Sequence, residues 1–159
     1  MKKAIFGVWF VGLLLILNGL VYQKETMLKE AQQVLLALAP VDPRSLIQGD
    51  FMVLRYAIAN EVTNTVEGRD GQEGLLTLKL ESNGVASLVA IDSSAPLEPG
   101  QIHLKYRING GRCLLGAESY MFEEGRADHF AAAKFGELRV SLDGSSVLVG
   151  LRNEGLEPL

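Results

Sequence analysis

Residues 75–91 read LLTLKLESNGVASLVAI, and no other stretch constrains the fold as tightly. Two strand-like runs flank Asn83-Gly84, a dipeptide that readily takes the left-handed backbone a tight hairpin turn requires. The arrangement returns at LRVSLDGSSVLVGL, residues 138–151, with Asp143-Gly144 at the turn. Between them IHLKYRI (102–108) keeps period two and closes at Asn109-Gly110-Gly111, and CLLGAESYMFEEG (113–125) continues the pattern. Adding a strand over Phe51–Ala59 gives about seven strands with short connections, so the natural closure is a mainly antiparallel small barrel or sandwich.

One helix interrupts this pattern. RADHFAAAKFG predicts a short helix near 127–135, with Asp128 near its start and Gly136 as a C-terminal stop. EVTNTVEGRDGQEG (61–74) is polar and glycine-rich and reads as a mobile surface loop. The last residues, 153–159, read as a frayed tail.

The N-terminal region has a different character. After Lys2 and Lys3 there is no charge from Ala4 to Tyr22, a run of 19 residues. A helix needs roughly 20 apolar residues to cross a bilayer, whereas a cleavable signal peptide has an apolar core of about 7–15 and a small-x-small exit. The exit here, Leu17-Asn18-Gly19-Leu20, lacks that site. The expectation is an uncleaved transmembrane anchor over 1–22 that contacts lipid through residues 4–22, with a cleaved signal peptide as the alternative. The two lysines would hold the N-terminus in the cytoplasm. QKETMLKEAQQVLLALAP then places Met27, Leu28, Ala31, Val34, Leu35 and Leu38 at spacings of three and four, predicting an amphipathic juxtamembrane helix over 23–40. Pro40 and Pro43 would end it. The remaining 41–152 would form an extracytoplasmic β-rich domain.

Charge and composition exclude several functions. The net charge is −4 and the cations outside the N-terminal region are scattered singly, so the basic patch of a nucleic-acid binder is missing. Cys113 is the only cysteine, and an apolar setting marks it as a small buried hydrophobe rather than a reactive thiol. His103 and His129 stand apart, without the spacing of a metal site. Gly110-Gly111 and Gly68-x-x-Gly71 lack the strand-to-helix context of a phosphate loop, so no cofactor is implied.

The stretch SLIQGDFMVLRY (45–56) carries a resemblance. Gly49, Asp50, Leu54 and Tyr56 match the signature of the GDYXXLXY family of bacterial membrane-anchored proteins, with Phe51 where the signature has its first tyrosine. VLLALAPVDPRSLIQ, LGAESYMFEEG (115–125), AAAKFGELRV (131–140) and DGSSVLVGL (143–151) are also similar to that family. Its function is unknown, so the resemblance supplies no catalytic residues. It implies a single anchor in the bacterial inner membrane, a periplasmic β domain and a multi-pass membrane protein as partner.

A fainter similarity links Pro-x-Ser-Leu-x-x-Gly-Asp to the catalytic strand entry of signal-peptidase-like serine proteases. Aligned on Leu46 and Gly49-Asp50, that similarity puts Val41 at the nucleophile position, and valine has nothing to attack with. A lysine base such as Lys105 would have no hydroxyl to activate. Carboxylate chemistry is the other possibility. On strand geometry Glu118, Tyr120, Phe122 and Glu124 share one face. Glu118 would be partly buried and in need of a partner, Arg107 or Arg112, and with Asp50 or Glu124 it could form a hydrolytic pair. The residues of interest are therefore Asp50, Glu118, Tyr120 and Glu124. The leading reading is a non-enzymatic binding or scaffold protein. The alternatives are an envelope hydrolase with paired carboxylates and an inactive protease-like fold that binds peptides.

Overall fold

The computed structural model describes residues 9–10, 12–19, 31–39, 47–48, 51–66 and 70–159. The chain divides into two units, Met1–Ala31 and Gln32–Leu159.

In the first unit, residues 9–10 and 12–19 are helical and present Trp9, Phe10, Leu13 and Leu15 to the outside. The Asn18 side-chain amide donates to the Leu14 carbonyl at 2.8 Å. Among the described residues no helix is long and apolar enough to cross a membrane. This corrects the expected N-terminal transmembrane helix. A spanning helix needs roughly 20 consecutive apolar residues within one helix, and none of the described helices meets that requirement.

The second unit is mainly antiparallel β. Its strands are β1 (Gln32–Ala37), β2 (Ile47–Gln48), β3 (Phe51–Val53), β4 (Glu73–Leu80), β5 (Ala86–Ile91), β6 (Gln101–Asn109), β7 (Arg112–Leu114), β8 (Ser119–Met121), β9 (Phe135–Val140) and β10 (Ser146–Arg152). The helices are α1 (Ala57–Thr65) and α2 (Ala127–Phe130). The strands pair in the orders β1-β9-β10, β2-β3-β8 and β5-β4-β6-β7. Residues from all three sheets and from α1 share one core that includes Leu36, Met52, Val62, Leu76, Leu104 and Leu138.

The two hairpins hold the large sheets together reciprocally. At the β4–β5 turn Gly84 sits at φ 83°, its N–H donates to the Glu81 carbonyl at 2.9 Å, and the Asn83 side chain accepts from the Val85 N–H at 2.9 Å. The β9–β10 turn repeats this: Gly144 sits at φ 82°, its N–H donates to the Ser141 carbonyl, and Asp143 accepts from the Ser145 N–H at 3.1 Å. Each turn glycine then accepts from a strand of the other sheet. The Leu35 N–H of β1 donates to the Gly84 carbonyl at 2.9 Å, and the Lys105 N–H of β6 donates to the Gly144 carbonyl at 2.8 Å.

The expected amphipathic helix over 23–40 is corrected within its described part. Gln32–Ala37 is a strand, in continuous register with β9 from Gln32↔Val140 to Ala37↔Phe135. Val34, Leu35 and Leu36 are all buried. A strand covered on both faces reads as an unbroken apolar run, and its leucines and alanines also suit a helix. Leu35 faces away from Val34 and Leu36 along the strand, and the Gly84 turn lies against it.

The strand expected over Phe51–Ala59 stops at Val53, and α1 takes over from Ala57. Ile58, Ala59 and Val62 form its buried face. Its threonine hydroxyls donate back one turn, Thr63 to Ala59 at 2.7 Å and Thr65 to Glu61 at 2.8 Å. The helix expected near 127–135 covers only Ala127–Phe130, and Gly136 lies inside β9 rather than at a helix stop. Phe130 anchors α2, after which the Lys134 N–H joins the Arg152 carbonyl at 2.8 Å and commits the chain to β9. The C-terminal residues are pinned. The Leu159 N–H donates to the Leu151 carbonyl, and Arg152 bonds both Glu137 at 2.8 Å and the Leu156 carbonyl at 2.7 Å.

Candidate functional site

Tyr56 immediately precedes α1 and lies 1% exposed across β9. It fits there because residue 136 is glycine: a Cβ at Gly136 would come within 2.9 Å of the Tyr56 ring and hydroxyl oxygen. The hydroxyl donates to the Ala117 carbonyl at 2.7 Å. Two residues upstream, the Leu54 N–H donates to the Glu118 carbonyl at 2.7 Å. Leu54 and Tyr56 thus attach the turn between β7 and β8 to the core.

Gly116, at φ 78°, lets that turn fold back on Glu118. The Glu118 carboxylate accepts from the N–H groups of Leu115 and Gly116, the latter at 3.1 Å. Its partners are therefore backbone amides rather than the expected arginines. Arg107 pairs with Glu73 at 3.2 Å on the exposed face of the sheet. From the helix side, the Thr63 hydroxyl accepts from the Cys113 N–H at 2.9 Å and so joins α1 to β7.

Between these elements lies a cleft of about 280 Å³. Val53, Leu54, Ala59, Cys113 and Leu114 form its apolar lining, and Arg55, Tyr56, Asn60, Thr63, Arg112 and Glu118 its polar lining. Burial, reinforced by the Glu118 charge, pushes the Cys113 thiol up to about 12 and raises the Tyr56 phenol far above its ordinary value. Both are therefore neutral at physiological pH. Arg55 and Arg112 are exposed at the cleft and have no ion-pair partner among the described residues.

A larger groove of about 440 Å³ runs on the other side of Leu114, lined by Glu73, Lys105, Arg107 and Asp143 among others. Its charges are paired internally. Lys105 reaches Asp143 at 2.7 Å and Ser145 at 3.1 Å, and these bonds hold the Asp143 carboxyl well below the usual carboxylate range. Lys105, the candidate base, is engaged there.

Of the residues singled out in the sequence, Leu54, Tyr56 and Glu118 come together at the smaller cleft. Phe51 is half-buried and stands in register with Met121. Tyr120 and Phe122 both pack on Phe130, with ring centroids 5.2 and 5.1 Å away. Glu124 is exposed and does not line the cleft. Gly49, Asp50, Val41, Arg44 and Ser45 lie outside the described residues. Asn60 and Thr63 were not anticipated, because their segment read as the end of a strand and a loop. The signal was present in the four-residue spacing of Ile58 and Val62, which marks a buried helical face and leaves Asn60 and Thr63 off it.

The family model for the GDYXXLXY protein matches residues 13–151. The chain belongs to that family. No curated protein and no solved structure matches it.

Proposed function

We propose that this GDYXXLXY protein is a binding module without catalytic chemistry of its own, and that the cleft between α1 and the β7–β8 turn is its recognition surface. One observation carries the reading. The cleft's own acid, phenol and thiol are engaged or neutral, while two exposed arginines at the same cleft have no ion-pair partner among the described residues. Glu118 commits one carboxylate oxygen to two backbone N–H groups, and among the described residues no second acid lines the cleft to complete the pair that glycosidic hydrolysis needs. A hydrolytic pair of Glu118 with Glu124 also lacks support, since Glu124 does not line the cleft. Unpaired guanidiniums, by contrast, are suited to recognising anionic groups.

Site-specific photo-crosslinking tests this reading. A photoreactive residue replaces Asn60 at the cleft in the full chain, and Ser87, exposed on β5, serves as the control position. We expect a discrete adduct from position 60 in cells that express the protein naturally, and none from position 87. Identical adducts from both positions, or none from position 60, would overturn the proposal.

A further inference from the structure

We infer that the cleft recognises a carboxylate with a neighbouring N–H donor, presented by a polypeptide; this rests on the binding reading above. Three observations lead there. First, Arg55 and Arg112 line the same small cleft, and guanidiniums take carboxylates in paired, charge-assisted hydrogen bonds. Second, both N–H bonds to Glu118 end on Oε1, so among the described residues Oε2 accepts none and can receive an N–H from the ligand. Third, Val53, Ala59 and Leu114 supply an apolar wall for a side chain beside those polar contacts.

Charge and size select the ligand. Two arginines and one glutamate leave the cleft one positive charge in excess, which one carboxylate neutralises. A phosphate dianion would bring a second negative charge towards Glu118. At about 280 Å³ the space lies at the lower edge of the roughly 300–1,000 Å³ typical of small-molecule sites, enough for one or two residues. The neighbouring groove is a poorer anion site because its Lys105 and Arg107 are already paired.

The test is a titration of the full chain, followed through the amide resonances of Cys113, Leu115 and Gly116. The probes are acetyl-Gly-Ala-Val with a free C-terminal carboxylate, the same peptide as its C-terminal amide, acetyl-Gly-Asp-Val amide and inorganic phosphate. At least one carboxylate peptide should shift these resonances in a saturable way, and the uncharged amide should not. Which carboxylate peptide binds distinguishes a chain end from an acidic side chain. Arg55→Gln and Arg112→Gln should each weaken binding about tenfold, the scale of one charge-assisted hydrogen bond. Both arginines are exposed, where substitutions change stability by about 0.5 kcal/mol or less, and Arg107→Gln serves as an unaffected control. Binding of phosphate alone, equal binding of amide and acid, unchanged affinity in both arginine variants, or no binding by any probe would overturn the inference. If position 60 still yields its crosslink while every carboxylate probe fails, the binding reading stands and the carboxylate assignment falls.

Discussion

Replacing Tyr56 by phenylalanine isolates a single atom of the family signature. The ring keeps its place against Gly136, but the hydroxyl that donates to the Ala117 carbonyl at 2.7 Å is gone. Ala117 is 4% exposed, so little water can replace that donor. Leaving a buried acceptor unsatisfied costs about 1–3 kcal/mol, and a central value of about 2 kcal/mol lowers the melting temperature of a chain this size by about 4–8 °C. Urea unfolding followed by far-UV circular dichroism should show a lower midpoint at unchanged slope, because the surface exposed on unfolding is the same. Tyr56→Ala, which also loses the ring, should cost about 3–5 kcal/mol. A Tyr56→Phe variant within about 0.5 kcal/mol of wild type would refute the reasoning, since surface substitutions alone produce changes of that size.

Other consequences follow from neighbouring groups. A Cβ at Gly74 would clash with Asp92 and come within 2.6 Å of the Tyr106 ring, so Gly74→Ala should destabilise by about 3 kcal/mol through overpacking and the loss of the Tyr106–Asp92 hydrogen bond. In the Tyr106→Phe background the same substitution should cost less, because that bond is already absent. Cys113 is buried and its thiol is pushed up to about 12, so its reaction with a thiol reagent near pH 8 should be far slower in the folded protein than in the urea-unfolded chain. Tyr56, Tyr106 and Cys113 all hold their protons more tightly folded than unfolded. The unfolded chain therefore deprotonates first as pH rises. Stability from these groups is complete below about pH 8.5 and declines from there through about pH 12, and Tyr56→Phe should flatten the part beginning near pH 10. Equilibrium unfolding across pH 7–11 measures that slope.

The hairpins were legible because their chemistry is local. Asn83-Gly84 and Asp143-Gly144 carry both the left-handed glycine and the side-chain acceptor that closes the turn. What the sequence concealed depends on distant partners. The apolar run of β1 is equally compatible with a helix, and only β9 on one edge and the Gly84 turn against Leu35 make it a strand. The threonines, Ile58 and Val62 of α1 favour strands locally, yet Ile58 and Val62 need the core and Thr63 needs the Cys113 amide. Glu118 is half-buried. Its partners escaped notice because backbone amides leave no mark in side-chain identity, apart from the glycine at 116.

Amide hydrogen exchange in wild type and Tyr56→Phe tests most directly that the signature tyrosine holds the cleft in shape. The Leu115 and Gly116 amides should be protected in wild type by the Glu118 carboxylate, and Tyr56→Phe should speed their exchange at least tenfold more than that of the β4–β6 ladder. Exchange rising by the same factor at both places would mean that the hydroxyl contributes only global stability, and would contradict the account.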